Sequence, residues 1–287
     1  MNQFFENRGF WFRLLTLIII ALTAVFMAVT FGTVFASLFF GTDKIASHHI
    51  DTVLFLQAFV SVGLFVAPPL VYAKVFDESL TLKNKPKLLS AVLCVAIMAV
   101  SMPFCSFLEE LNLHMKLPVW LSGLEDWMRA QENNAKELTD MLLGNREPKY
   151  LLLNILVIAL IPALGEELFF RGVIQDSLLF KTSKIRGWLC VLITGAVFSA
   201  IHLQFFGFLP RFFLGAVLGL MLLMTKSIWT SILCHFCNNA FAVLAAGYFS
   251  TEKMNDVPQI FEFKSVILIS AVLTAFLFWQ LKKIEDK

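Results

Sequence analysis

Charge is what this chain has least of. Charged residues make up 15% of its 287, against about 25% in soluble globular domains, while 58% are hydrophobic. The mean hydropathy of +0.77 points the same way, and the apolar residues stand in long blocks. That pattern excludes a soluble globular protein and implies an all-α, polytopic membrane helix bundle. Charge of one sign is scarce too. With 23 basic and 21 acidic residues the net charge is only +2, so no nucleic-acid partner is expected and membrane lipid is.

Disulfide-forming cysteine is also missing. Cys94, Cys105, Cys190, Cys234 and Cys237 are odd in number and lie in or beside apolar runs, so they imply no disulfide framework. Cys234-His-Phe-Cys237 has the C-x-x-C spacing of redox and metal sites, but within an apolar helix cysteine is expected to act as a small hydrophobe. There is no internal repeat, no low-complexity tract and no soluble domain. The first apolar block is about thirty residues long and ends without a small-residue cleavage site, so it is expected to be a retained span.

What is present is a series of apolar runs long enough to cross a bilayer, about 20 residues each. They cover 11–40, 52–75, 88–108, 150–170 (running on toward 180), 187–203, 208–224, 228–249 and 263–281, eight in all, with the fifth and sixth short. Pro69, Pro103 and Pro162 fall inside spans and should kink or loosen them. Lys74, Lys83, Lys85 and Lys87, then Lys181, Lys184 and Arg186, then Lys282, Lys283 and Lys287 gather on one side with Arg8 and Arg13. The other side has Lys44, Lys253 and Lys264. The positive-inside rule then puts both termini in the cytoplasm, in a plasma (inner) membrane.

Between the third and fourth spans, Ser122-Gly-Leu-Glu125 has the spacing of a capping box. Leu121, Leu124, Met128, Ala135, Leu138 and Met141 follow at near-helical spacing with charged residues between them. An amphipathic helix over 119–143 lying on the membrane surface is expected. The whole chain, 1–287, is read as one membrane domain.

Against this background a few polar residues stand out. Ile161-Pro-Ala-Leu-Gly-Glu166-Glu167-Leu-Phe-Phe-Arg171 sets two carboxylates and a guanidinium inside an apolar run, where charge costs several kcal/mol unless it is paired or faces water. Glu167 and Arg171 are four apart and can pair on one helical face. Glu166, about 100° round the helix, is left free. His202 ends Phe198-x-x-x-His202 in the fifth span, and His235-x-x-x-Asn239 shares one face of the seventh. Polar groups in spans face the bundle interior, so these are expected to converge. Three chemistries fit. Glu166 helped by His202 could activate a water, with His235 and Asn239 as oxyanion donors. Alternatively Glu166, His202 and His235 could hold zinc with an open water position, or the groups could line an ion or proton path. The lack of repeated half-structures argues against the last.

Taken in order, Glu166-Glu167-x-x-x-Arg171, Phe198-x-x-x-His202 and His235-x-x-x-Asn239 resemble the three motifs of the type II CAAX prenyl protease family, also called the CPBP or Abi family of intramembrane endopeptidases. The resemblance covers about 150–250, leaving 1–149 as N-terminal spans with the surface helix and 263–281 as a last span. It implies a membrane-embedded cavity and hydrolysis of a peptide bond near the membrane, with a peptide or protein, possibly lipidated, as substrate. It further implies that Glu166 and His202 activate the water and that His235 and Asn239 form the oxyanion site, supported by Glu167, Arg171 and Phe198. The expectation is a site that needs no cofactor, with zinc as the alternative. A non-catalytic peptide- or partner-binding protein of the bacteriocin-immunity type is the alternative function.

Overall fold

The computed structural model describes residues 8–248 and 264–287. Lys253 and the expected span ends at Phe249 and Phe263 lie outside the described residues. Regular structure among the described residues is entirely helical. The main helices are α1 Phe10–Phe40, α2 Ile50–Phe76, α3 Leu88–Leu113, α4 Ser122–Leu143, α5 Pro148–Thr182, α6 Gly187–Ala200, α7 Phe208–Thr225, α8 Ile228–Tyr248 and α9 Lys264–Glu285. Seven of them, all but α4 and α6, are long and apolar enough to cross a membrane. The protein is an integral membrane helix bundle.

One expected span comes out short. α6 has 14 residues, a rise of ~21 Å against a hydrocarbon core of about 30 Å. The apolar run that suggested a span to 203 continues into a turn instead of a helix. Leu203 takes a left-handed φ of 54°, and a short 3-10 turn at Phe205–Gly207 leads into α7. His202 therefore sits on the turn beyond α6, not within a span. The turn is clamped. Asn112 of α3 donates to the Phe205 carbonyl (3.1 Å) and accepts from the Leu209 N–H (2.7 Å), while Arg211 donates to the Gln204 carbonyl (2.9 Å) and side chain (2.5 Å).

Proline leaves its mark where the sequence suggested, by two routes. In α2 a π-helical segment, Val62–Val66, runs up to Pro68 and Pro69, and in α5 another, Ile155–Leu160, runs up to Pro162. A proline has no N–H for the carbonyl four residues back, and widening to π geometry absorbs the mismatch. In α3 the Ser270 hydroxyl of α9 enters the ladder beside Pro103, accepting from the Phe104 N–H (3.2 Å) and donating to the Val100 carbonyl (2.6 Å). Beyond Glu166, α5 stays π-helical from Glu167 to Thr182.

The helices differ in what surrounds them. Only 6% of the apolar window of α1 is buried, against 44% for α5 and for α7, so α1 is mainly a lipid-facing wall packed on α2. Around the inner helices the core gathers Tyr72, Phe76, Leu80, Phe169, Phe170, Val173 and Phe198. The five cysteines are free, and Cys234 packs in an apolar cluster with Cys94 and Met221, as a hydrophobe does.

α4 is the amphipathic helix expected over 119–143, preceded by a 3-10 turn at Val119–Leu121. The capping box does not form. Ser122 is already helical, and Glu125 spends its carboxylate elsewhere, accepting from the Leu117 N–H (3.0 Å) and pairing with Arg129 (2.6 Å). The helix rests on the turn that follows His202. Trp127 lies 5.5 Å from the Phe205 ring, and the Arg129 guanidinium lies 4.3 Å above Phe206.

Candidate active site

Gly165 lets the site assemble. A Cβ there would come within 2.9 Å of Phe65 Cβ and Val66 Cγ2, so the bare glycine allows α5 to approach α2 immediately before the two glutamates. Glu167 and Arg171 then project from α5 into the bundle with no exposed surface, their ion pair 3.0 Å long. Arg171 also donates to the Gly215 carbonyl of α7 (3.0 Å), and its guanidinium lies 4.7 Å above the Phe198 ring. One turn on, Gln175 repeats the contact, donating to the Gly219 carbonyl (2.9 Å). Two side chains four apart on α5 thus read two glycines four apart on α7. The small residues let backbones approach closely, and Gly215 packs against Gly195, whose Cα would lie 3.1 Å from an added Cβ.

His235 joins the two glutamates. Its Nδ1 lies 2.7 Å from Glu167 Oε1 and its Nε2 lies 3.9 Å from Glu166 Oε2. A carboxylate accepts, so Nδ1 carries the proton in that hydrogen bond. Glu166 is only 8% exposed, yet it keeps some accessible surface where Glu167 keeps none. The pairing read from helical spacing is therefore present, and the second carboxylate faces an imidazole across a wider gap.

His202 is half-buried. Its Nδ1 lies 2.7 Å from the Phe198 carbonyl, which only accepts, so Nε2 is the nitrogen left open. The Phe198 ring stands between the two histidines, edge-on to both, with centroids 5.0 Å from His202 and 6.0 Å from His235. Among the described residues no hydrogen bond or ion pair joins Glu166 to His202; Glu166 comes nearest to His235. Asn239, also half-buried, donates to the Ile158 carbonyl at a long 3.4 Å and accepts from Asn238 (3.2 Å). Ile158 is the residue four before Pro162, so the carbonyl that proline leaves without its α-helical donor is the one that holds Asn239.

Motif reading missed the parts of the site made by backbone. The carbonyls of Gly215 and Ile158 hold Arg171 and Asn239, and no side-chain motif reports a carbonyl. The i+4 spacing of Gln175 after Arg171 and of Gly219 after Gly215 was the available signal. Glu166, His202 and His235 are the residues considered for zinc. As placed they make no group of three His, Cys, Asp or Glu donors able to hold a metal among the described residues.

Fold and site together define a polytopic membrane protein with a buried Glu–His–Arg centre contributed by α5 and α8, and with half-buried His202, on the turn after α6, set off from it by the Phe198 ring. Residues 148–241, which are 94 of the 287, match the family model described as type II CAAX prenyl endopeptidase Rce1-like, so this third of the chain is similar to that family. The matched stretch contains every site residue named above. Comparison with curated proteins and with solved structures gives no match.

Proposed function

We propose that this protein is an intramembrane endopeptidase that hydrolyses a peptide bond of a membrane-associated peptide or protein. The observation that carries the reading is His235 held between two carboxylates, tight to Glu167 and open toward Glu166. Glu166 is the general base. It takes a proton from a water, the water oxygen bonds to the peptide carbonyl carbon, and the carbonyl π electrons move onto its oxygen. As that intermediate collapses, the C–N bond breaks and Glu166 returns the proton to the leaving amine.

The remaining residues take supporting roles in this reading. His202 offers Nε2 to the same water. When both nitrogens of His235 are protonated, Nδ1 stays on Glu167 and Nε2 donates to the oxyanion, and Asn239 adds its amide by turning from its weak bond to Ile158. The four charges then balance, with Glu166 and Glu167 against Arg171 and His235. Arg171 and Glu167 position His235. The chemistry is read as metal-free, with Glu166 taking the proton from the water directly; zinc held by Glu166, His202 and His235 is the alternative, since an imidazole whose Nδ1–H is held by a carboxylate keeps Nε2 open to a metal, and a chelator separates the two. Lysine clustering favours both termini in the cytoplasm.

The test uses purified full-length protein and quenched fluorogenic peptides, lipidated and unlipidated. Glu166→Gln is expected to lower kcat about 10²–10⁴-fold with little change in thermal stability, and His202→Ala and His235→Ala to lower it too. A chelator is expected to leave the rate unchanged. Specific peptide binding with no turnover, unaltered by Glu166→Gln, would replace the protease with the binding-protein reading.

A further inference from the structure

α8 carries a side-chain amide that the proposed hydrolysis does not use. Asn238 is half-buried within a membrane-spanning helix, where a carboxamide without a partner is costly. Polar side chains in such helices ordinarily bond across to a neighbouring helix, and on α8 three of them do. Ser231 donates to the Leu218 carbonyl of α7 (2.9 Å), His235 holds Glu167 of α5 (2.7 Å) and Asn239 reaches the Ile158 carbonyl of α5 (3.4 Å). Asn238 makes no such bond among the described residues. It donates instead to its own neighbour, Nδ2 to Asn239 Oδ1 at 3.2 Å. Adjacent side chains on a helix point about 100° apart and do not ordinarily face each other. This bond joins no two helices, so its effect falls on Asn239.

An amide has two ends of nearly the same shape and opposite character, an oxygen that accepts and a nitrogen that donates. Asn239 serves an oxyanion only with Nδ2 toward the developing charge; Oδ1 in that place would repel it. The Ile158 carbonyl favours the useful orientation through a single contact of 3.4 Å, long for an N–H···O bond. The donor from Asn238 supplies the rest, because a flipped amide would set two NH2 groups against each other. It also leaves Nδ2 mobile. With Oδ1 held, the nitrogen can swing from Ile158 toward the reacting carbonyl without the amide turning over. The arrangement lies beside the Glu–His centre, since Asn238 and Asn239 follow His235 by three and four residues and so share its side of α8.

We propose that Asn238 is a positioning residue for the oxyanion donor: it holds Asn239 Oδ1 and thereby fixes which end of that amide meets the substrate carbonyl. The inference rests on the endopeptidase reading and on the part Asn239 takes in it. Asn238 itself touches neither the attacking water nor the peptide; it acts through Asn239. A carboxamide pair then does on one helix what two backbone N–H groups do in a loop, one member donating and the other keeping the donor turned the right way.

The experiment measures kcat, KM and the thermal unfolding midpoint of full-length Asn238→Leu and Asn238→Asp with the fluorogenic peptides, alone and combined with Asn239→Ala, using single turnovers at excess protein for the slow combinations. Leucine removes the donor and suits an apolar helix, so the fold should survive. Aspartate keeps the shape but presents an acceptor, which draws Asn239 Nδ2 to itself. Asn238→Leu is expected to lower kcat about 3–10-fold, the worth of one hydrogen bond, with KM and midpoint unchanged, and Asn238→Asp to lower kcat further. In the Asn239→Ala background neither should add to the loss, because residues that act through one another are not additive. A merely structural role would lower the midpoint and cost the same in both backgrounds. Unchanged kcat in either variant, an equal loss with and without Asn239, or a raised KM at constant kcat overturns the inference and leaves the protease standing. No hydrolysis by the wild-type protein removes the protease reading, and this inference with it.

Discussion

Two Glu-x-x-x-Arg pairs in this molecule share one spacing and have opposite settings. Glu125 and Arg129 in α4 approach to 2.6 Å with the arginine 45% exposed, whereas Glu167 and Arg171 in α5 are 3.0 Å apart with no exposed surface. The shorter contact is the weaker one. In water an ion pair is screened, and holding it costs side-chain entropy. Between packed helices neither charge can be left alone, since a lone buried charge costs far more than the pair contributes. Distance does not rank the two pairs; the surroundings do. Both arginines lie over a ring, Arg129 over Phe206 and Arg171 over Phe198, but the buried arginine also donates to the Gly215 carbonyl and its glutamate also holds His235.

The sharpest way to break the comparison is to remove one charge from each pair. Glu167→Gln leaves Arg171 buried with one carbonyl and one ring, and is expected to destabilise the fold by about 3–5 kcal/mol. Glu125→Gln should change the unfolding midpoint of the whole protein little. Thermal unfolding in detergent measures both. Combining Glu167→Leu with Arg171→Met should recover much of the lost stability while leaving hydrolysis absent, because His235 then has no carboxylate to orient it. If Glu167→Gln proves as mild as Glu125→Gln, water reaches the α5 pair and the comparison fails.

A smaller change sharpens the point by disturbing the surroundings alone. In Gly215→Ala the new methyl would lie 3.1 Å from the Gly195 Cα and 3.2 Å from Phe198 Cδ1. Backbone cannot give as a side-chain end can, so α6 and α7 must separate slightly, at about 1–3 kcal/mol. The carbonyl that holds Arg171 moves with them. The variant should therefore lose both stability and turnover although no side chain of the proposed mechanism has changed.

These settings were only partly legible in the sequence. Helical spacing alone showed that Glu167 reaches Arg171 and that Glu166 does not, because four residues return to the same face whether the turn is α or π. The placement of His235 between the two carboxylates depends on how α8 packs against α5, and periodicity carries no such information. His202 was misplaced because hydropathy cannot tell an apolar turn from an apolar helix: 201–208 is nearly as apolar as α6, and only the left-handed Leu203 and the Asn112 clamp end the helix. The capping box failed for a competitive reason. Ser122 and Glu125 have the right spacing, but Leu117 and Arg129 already occupy the carboxylate. Pro162 signalled a disturbance; that the carbonyl it leaves goes to Asn239 required the neighbouring helix.

The mildest effect belongs to the solvated pair, and it is a pH dependence. The Arg129 guanidinium first, and then the Leu117 N–H, hold the Glu125 carboxyl below its ordinary range near 4.5. A carboxyl depressed in the folded state stabilises that state above its unfolded pKa, and the contribution is lost as pH falls through the folded value. The start of α4 and the 115–121 turn should therefore be protected from amide hydrogen exchange at pH 6 and open progressively below about pH 4.5, while the Glu167–Arg171 region stays protected over the same interval. Glu125→Gln should flatten the pH response of α4 and leave that of α5 untouched. Raising the salt concentration should weaken the α4 response in the wild type, since exposed charges are screened and sealed ones are not. A response that ignores salt would mean that α4 is packed more tightly on the 205–207 turn than its exposed arginine implies.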